Sequence, residues 1–147
     1  MKIHQLSVFV ENRPGHLVAP CRRLAEAGIN IVTLALAETQ NYGVLRLIVR
    51  DWEQARQVLE AGGFRVSVTE VLAVQVEDRP GGLAEVLDPI SEAGLNVEYM
   101  YAFTTKSGGQ AVLVFRFEDP DAALRTLHGS PVNFVDTVDL FTRLDRL

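Results

Sequence analysis

The feature that most constrains the fold of this chain is an internal duplication. Residues 6–34 align with residues 72–100 at a constant offset of 66, and twelve of these twenty-nine positions are identical. Beyond residue 105 the offset becomes 68, pairing Asp51 with Asp119 and Leu59 with Leu127, which indicates a two-residue insertion near 106–109. A chain of 147 residues that repeats itself once predicts two small, similar domains, here taken as residues 1–70 and 71–147.

Each repeat shows the hydrophobic periods of six elements in the same order. Leu6, Val8 and Val10 alternate with other residues as in a strand, and the same pattern returns at 72, 74 and 76. The stretches before Gly28 and Gly94 have helical spacing, and a glycine there is typical of a helix C-terminus. Further strands are predicted at 31–38, 43–50, 64–70, 97–105, 110–117 and 132–141, with helices over 52–61 and 121–128. The order predicts an α+β fold of two ferredoxin-like βαββαβ units, in which helices lie on one face of an antiparallel sheet.

Three details of the pattern add expectations about packing. Apolar residues alternate from Phe64 to Glu77 without Gly or Pro, so the last strand of the first repeat is expected to run into the first strand of the second, making the repeats one rigid body. The third strands are apolar on both faces, which predicts a cover, either the other repeat or a second chain, on the face away from the helices. Pro20 and Pro89 lie within the predicted helices, where proline is expected to cause bends.

Composition narrows the functional classes. Nineteen acidic residues against fourteen basic residues give a net charge of −5, which disfavours direct binding to nucleic acid. The sequence has no apolar run long enough to span a membrane and no signal-peptide pattern, so we expect a cytoplasmic protein. With one cysteine and three scattered histidines, we expect no metal site and no redox cofactor. The sequence also contains no nucleophile, phosphate-loop or zinc motif, so we expect a protein that is not an enzyme.

The repeated Arg-Pro-Gly turn is the first candidate site. It joins a strand end to a helix start, where unpaired backbone N–H groups and the helix dipole favour a small carboxylate or phosphate. Gly15, and Gly81 with Gly82, present no side chain to a ligand that approaches the backbone. The same residues equally suit a tight turn in which Asn12 or Asp78 caps the helix.

Asn30 and Asn96, where each helix has ended, are the second candidate. An amide offers both a donor and an acceptor to the charged groups of an amino acid, although Asn is also common beside a glycine C-cap. His16 either adds a hydrogen bond beside the first turn or simply faces solvent, and Gly82 replaces it in the second turn. Cys21 lies on the apolar helix stripe, which favours core packing over reactivity.

Together these motifs resemble the ACT domain, a small amino-acid-binding regulatory module. The resemblance rests on the segments 11–17 and 27–31 and on their repeats 77–83 and 93–97, and it covers nearly the whole chain twice. In that family a small effector binds between paired domains through the first strand-to-helix turn and the start of the second strand. The ligand-binding residues this implies are Asn12, Arg13, Pro14, Gly15, His16, Leu17, Asn30, Ile31, Asp78, Arg79, Pro80, Gly81, Gly82, Leu83, Asn96 and Val97. Asn12 departs from the more usual aspartate, which makes the two sites unequal.

Function and assembly follow as hypotheses. The first is a regulatory protein, similar to stand-alone tandem ACT proteins, whose partner is an amino-acid effector. The alternative is a regulatory subunit of a separate biosynthetic enzyme, such as an acetolactate-synthase-like partner, and a ferredoxin-like acylphosphatase or isomerase ranks third. Because unpaired edge strands are normally covered, and because 64–77 leaves no chain to join second-strand edges within one molecule, we expect a homodimer or higher homo-oligomer with ligand sites near subunit boundaries.

Overall fold

The computed structural model describes residues 2–103 and 109–145. The chain divides into two compact units, described separately below. His4–Thr69 forms the N-terminal unit, and the described residues from Glu70 onward, together with Lys2 and Ile3, form the C-terminal unit. Domain limits at 1–70 and 71–147 stay a proposal.

The N-terminal unit is a sheet with two helices. Its elements are β1 (Lys2–Glu11), α1 (Val18–Glu26), β2 (Thr33–Glu38), β3 (Tyr42–Ile48), α2 (Trp52–Ala61) and the first part of β4 (Arg65–Glu77). The strand order is β2-β3-β1-β4, and β3 pairs antiparallel with both β1 and β2. Leu24 of α1 and Leu59 of α2 pack on alternate residues of β1 and β3, so one face of the sheet forms the core.

The C-terminal unit repeats this order and adds a helix. After the second part of β4 come α3 (Gly82–Glu92), β5 (Val97–Ala102), β6 (Gln110–Phe117), α4 (Pro120–Thr126), β7 (Asn133–Val135) and α5 (Thr137–Asp145). Its strands run β7-β4-β6-β5, all antiparallel. The predicted ferredoxin-like α+β fold is therefore confirmed in both units, and β4 is unbroken from Arg65 to Glu77 as the alternation predicted. The predicted strand end at 104–105 and the insertion at 106–108 lie outside the described residues.

The predicted last strand, 132–141, is wrong beyond Val135, because the chain turns there into helix α5. Asp136 starts this helix: its side chain accepts a hydrogen bond from the Val138 amide (2.9 Å) and its carbonyl accepts one from the Leu140 amide (2.9 Å). Two residues of a strand that stand two apart share a face, whereas Val138 is 75% exposed and Leu140 is 1% exposed. In a helix, residues two apart lie on different faces, which explains why Leu140 is buried while Val138 is exposed.

α5 lies against the sheet face opposite α3 and α4. The Arg143 guanidinium donates to Gln75 Oε1 (3.3 Å), and Gln75 alternates along β4 with the core residues Val74 and Val76. Residues that alternate along a strand point to opposite faces. In the C-terminal unit, α5 thus lies on the sheet face for which the apolar third strand predicted a cover.

The helix ends correct one expectation and confirm another. The N-cap residues are Leu17 in α1 and Gly81 in α3, neither with a side-chain cap, so the expected capping by Asn12 or Asp78 is wrong. Both helices begin several residues after the position that capping by Asn12 or Asp78 would require. The side-chain amide of Asn12 instead donates to the Thr39 carbonyl (3.3 Å). The glycine C-termini are confirmed: Gly28 and Gly94 have φ of 72° and 73°, the left-handed region that glycine favours.

Pro20 needs no bend in its helix. It is the third residue of α1, within the first turn, where an amide has no intrahelical partner to lose. Pro89 lies inside α3, beyond the first turn, and a bend there stays a prediction.

Candidate functional site

The two strand-to-helix turns share one backbone conformation. Gly15 and Gly81 have φ of 88° and 84°. In the first turn the Arg13 amide donates to the Glu11 carbonyl (2.9 Å), and in the second the Arg79 amide donates to the Glu77 carbonyl (3.0 Å). The duplicated sequence therefore builds the same local turn twice.

The turns differ at the next residue, which is His16 in the first and Gly82 in the second. A Cβ added to Gly82 would lie 2.1 Å from the carbonyl oxygen of Glu77, so this glycine packs against the backbone of β4. Glycine is therefore needed here so that the helix can pack closely on the strand, whereas the sequence had suggested that it lets a ligand approach the backbone. The helix begins at Gly82 itself, while α1 begins only at Val18, two residues later by the offset of 66.

The later start of α1 leaves apolar side chains exposed at the first turn. Leu17 and Val18 are 43% and 47% exposed, whereas Leu83, the counterpart of Leu17, packs against the core of its unit. The first turn is thus the more open of the two.

Both turn arginines are already engaged. Arg79 Nε lies 2.7 Å from Glu77 Oε2, and a terminal nitrogen lies 2.5 Å from Glu85 Oε2; these bonds raise the pKa of Arg79 above its ordinary value. Arg13 Nε lies 3.0 Å from Glu11 Oε2 and donates to His16 Nε2 (2.5 Å). His16 is half-buried and bonded, so the expectation that it simply faces solvent is wrong. A ligand carboxylate would have to compete with glutamates for either arginine.

A cavity of about 360 Å³ adjoins the first turn, and Gly15 and His16 are the predicted site residues that line it. A second cavity, of about 400 Å³, shares four lining residues with the first, Phe9, Val10, Glu11 and Arg65, and adds Tyr42. Both volumes fall in the range of small-molecule sites. The Arg65 guanidinium carbon lies 5.3 Å from the centroid of the Phe9 ring.

Phe9, Tyr42 and Arg65 line these cavities but were not among the predicted site residues. A signal for them exists in the repeat alignment, because these three positions correspond to Gln75, Gln110 and Asn133 in the second repeat. An exchange of two aromatic residues and an arginine for three amides, on an otherwise similar framework, marks a place where the copies have diverged in function or in packing.

Within one unit, the two parts of the predicted site lie at opposite ends of the sheet. The turn follows Glu11, which pairs with Tyr42 at the start of β3, whereas Asn30 and Ile31 precede Thr33, which pairs with Ile48 at its end. Six residue steps of β3 separate Tyr42 from Ile48, about 20 Å at roughly 3.4 Å per residue. β5 and β6 repeat this arrangement, so neither unit by itself brings 12–17 to 30–31 or 78–83 to 96–97.

The residues at the second strands have distinct environments. Ile31 and Val97 are half-buried and pack against the cores of their units, which is a structural role. Asn30 is exposed. Asn96 lines a cavity of about 620 Å³ together with four acidic side chains, Glu70, Glu118, Asp119 and Asp121.

Other candidate side chains have structural roles. Cys21 packs against the N-terminal core, as predicted. In the described part of the chain, no group of three or more His, Cys, Asp or Glu side chains is placed to hold a metal ion. Within the same residues, no helix is long and apolar enough to cross a bilayer.

Comparisons with known proteins agree with this architecture. A family model described as ACT domain pair matches residues 1–144. The crystal structure of protein BT0572 from Bacteroides thetaiotaomicron is 35% identical, with a TM-score of 0.87 and 96% of each chain covered. The aspartate kinase regulatory subunit from Thermus thermophilus, in its ligand-free form, is 18% identical with a TM-score of 0.61, covering 86% of this chain and 91% of that one. Its counterpart from Thermus flavus is also 18% identical, with a TM-score of 0.59 and coverage of 88% and 93%. At these identities the two subunits share the fold alone, and no curated protein sequence matches the chain.

Proposed function

The chain belongs to the ACT domain pair family, and we propose that it is a non-catalytic regulatory module whose strand-to-helix turns bind a small effector, an amino acid. The observation that carries the proposal is the duplicated turn, in which a glycine with positive φ precedes a helix that has no side-chain cap. The first amides of such a helix are available to a carboxylate.

A second chain would complete the site as the family resemblance implies it. Because the turn and Asn30 lie about 20 Å apart at opposite ends of the sheet, at roughly 3.4 Å per residue, one unit cannot place both on one small molecule. Antiparallel pairing of β2 with β2 of another chain would bring the start of one strand to the end of the other. The end of β2 lies beside the turn, because the side-chain amide of Asn12 in the turn donates to the carbonyl of Thr39, the residue that follows β2. We therefore propose a homodimer in which Asn30 of one chain faces the turn of the other.

Calorimetric titration with the twenty amino acids tests this function. We expect saturable binding of at least one of them, weakened by Asn30→Ala. Asn41→Ala is the matched control, because it removes an exposed amide from the hairpin between β2 and β3 and leaves the proposed contacts in place. Absence of both heat and thermal stabilisation with every amino acid would contradict the sensor function.

A second candidate is a regulatory subunit that acts on a separate biosynthetic enzyme, such as one resembling acetolactate synthase or an aspartate kinase. The exposed Leu17 and Val18 beside the first turn favour it, because a partner that covered them would sense a ligand bound there. The test is whether adding the protein changes the rate of a stoichiometrically co-purified enzyme. Unchanged turnover, with and without amino acids, would exclude this role.

A further inference from the structure

We infer that the N-terminal unit alone carries the amino-acid site, and that this site selects an apolar amino acid through Arg65 and Glu11. The inference deepens the proposed function, on which it rests, by naming the unit, the charged contacts and the ligand class. Its contacts do not include Asn30, so variants of Arg65 and of Asn30 test the two proposals separately.

Arg65 is placed to bind a carboxylate. Its guanidinium lies over the face of the Phe9 ring, 5.3 Å from the centroid, and it forms no ion pair with any described residue. A guanidinium carries five N–H donors in a planar fork, and this fork matches the two oxygens of a carboxylate. Arg13 and Arg79 differ from it because glutamates already occupy them.

Glu11 supplies the opposite charge in the same place. It lines both cavities with Arg65, and its side chain is 61% exposed. A free amino acid carries one negative and one positive group on the same carbon, so a cavity lined by one guanidinium and one carboxylate complements it. The Oε2 atom of Glu11 pairs with Arg13, and a carboxylate has a second oxygen that can accept from the ammonium group of a ligand.

The apolar part of the ligand would contact Phe9 and Tyr42. These side chains are 39% and 52% exposed, which is unusual for large aromatic residues on strands of a sheet. A side chain that covered them would remove apolar surface from water. Polar amino acids would gain nothing from this contact.

The corresponding place in the C-terminal unit is unsuitable for such a ligand. Gln75 bonds to Gln110 through their side-chain amides and also accepts a hydrogen bond from Arg143 of α5. Helix α5 therefore covers there the surface that stays open in the N-terminal unit. The chain has one site of this kind among its described residues.

The experiment is calorimetry on the full chain with L-leucine and L-phenylalanine, and with two analogues of the latter, 3-phenylpropionate and L-phenylalaninamide. The first analogue lacks the ammonium group and the second lacks the carboxylate. We expect one site per chain, affinity for at least one of the two amino acids, and loss of about 10- to 100-fold for phenylalaninamide or for the Arg65→Gln variant. The matched control, Arg22→Gln, removes an exposed charge on α1 of the same unit and should bind normally.

A triple variant, Phe9→Gln with Tyr42→Gln and Arg65→Asn, copies the second repeat onto the first. It should fold, since the C-terminal unit carries these residues at the matching positions, and it should lose binding. If an amino acid binds equally well to Arg65→Gln, or binds twice per chain, or is a polar one only, the inference is wrong while the proposed function stands. If no amino acid binds, both are wrong.

Discussion

At the residue scale, the two turns differ in whether the residue after the positive-φ glycine has a side chain, since His16 in the first repeat corresponds to Gly82 in the second. Gly82 lies so close to the Glu77 carbonyl that any side chain at this position would force the strand and the helix apart. His16 stands at the matching position of the first repeat, and α1 there begins later and leaves apolar residues exposed. The closed form of the turn therefore requires glycine at position 82, and the first repeat, with histidine at the matching position, has the open form.

Gly82→Ala is expected to destabilise the protein by about 1–3 kcal/mol, because its Cβ would overlap a backbone oxygen that cannot move without shifting β4. The matched control is Gly62→Ala, whose Cβ would lie 2.9 Å from a side-chain atom, Arg23 Nε, in place of 2.1 Å from a backbone oxygen, and which should therefore cost less. Urea denaturation followed by circular dichroism measures both. Equal losses for the two variants would show that the close approach at Gly82 carries no special cost.

At the element scale, α5 shows what sequence periodicity could not resolve. Val132, Phe134, Val138 and Leu140 fall on even positions as in a strand, whereas the capping bonds of Asp136 and the exposure of Val138 beside the buried Leu140 show a helix. The helix α2, by contrast, was predicted at its observed limits, because Asp51 caps it and Gly63 follows it. The turns of the candidate site were predictable because the Arg-Pro-Gly motif is local and occurs twice, although their capping was not. Phe9, Tyr42 and Arg65 were not, since their proximity depends on sheet register rather than on any local motif.

Asp136→Ala should weaken α5 by about 0.5–2 kcal/mol, because the Val138 amide loses its hydrogen-bond acceptor. Asp136→Asn keeps an acceptor oxygen at that position and should restore most of the loss. Thermal denaturation of the two variants and the wild type gives the comparison. A loss that is as large with Asn as with Ala would assign the effect to charge instead of capping.

The ion pairs of Lys2 lead us to expect that the stability of the folded protein depends on pH. The Lys2 ammonium lies 3.0 Å from Glu70 and 3.2 Å from Asp121, and these bonds raise the pKa of Lys2 above its ordinary value. A raised pKa means that the folded state favours the protonated form, so the stabilisation is complete below about pH 10 and is lost as the pH rises through the folded pKa. The difference in melting temperature between wild type and Lys2→Met should therefore shrink above pH 10. A difference that persists to pH 12 would mean that Lys2 acts through packing.

At the scale of the whole molecule, the edge strands predict assembly. β2 ends the strand order of its unit, and Leu34 and Leu36 on it are 48% and 50% exposed. An edge that presents apolar side chains and unpaired backbone groups is normally covered by another strand. This is the observation behind the proposed pairing of β2 between chains.

Leu36→Arg should convert the proposed dimer to monomer, because it replaces an exposed apolar side chain with a charge on each of the two pairing edges. Val138→Arg is the control, since it adds the same charge at a 75% exposed position on α5 and leaves β2 unchanged. Light scattering at micromolar concentration reports the mass of each. A wild-type mass of 16.2 kDa would show that the edges do not pair between chains.

β4 has a further consequence, which concerns how the two units can be separated. It passes from one unit to the other as a single strand of thirteen residues, with no glycine, no proline and no loop between them. Proteases cut, and gene fusion or recombination succeeds, mainly at exposed and irregular segments. Limited digestion should therefore not release either unit intact, and a gene fragment that encodes only one of them would end in the middle of a strand.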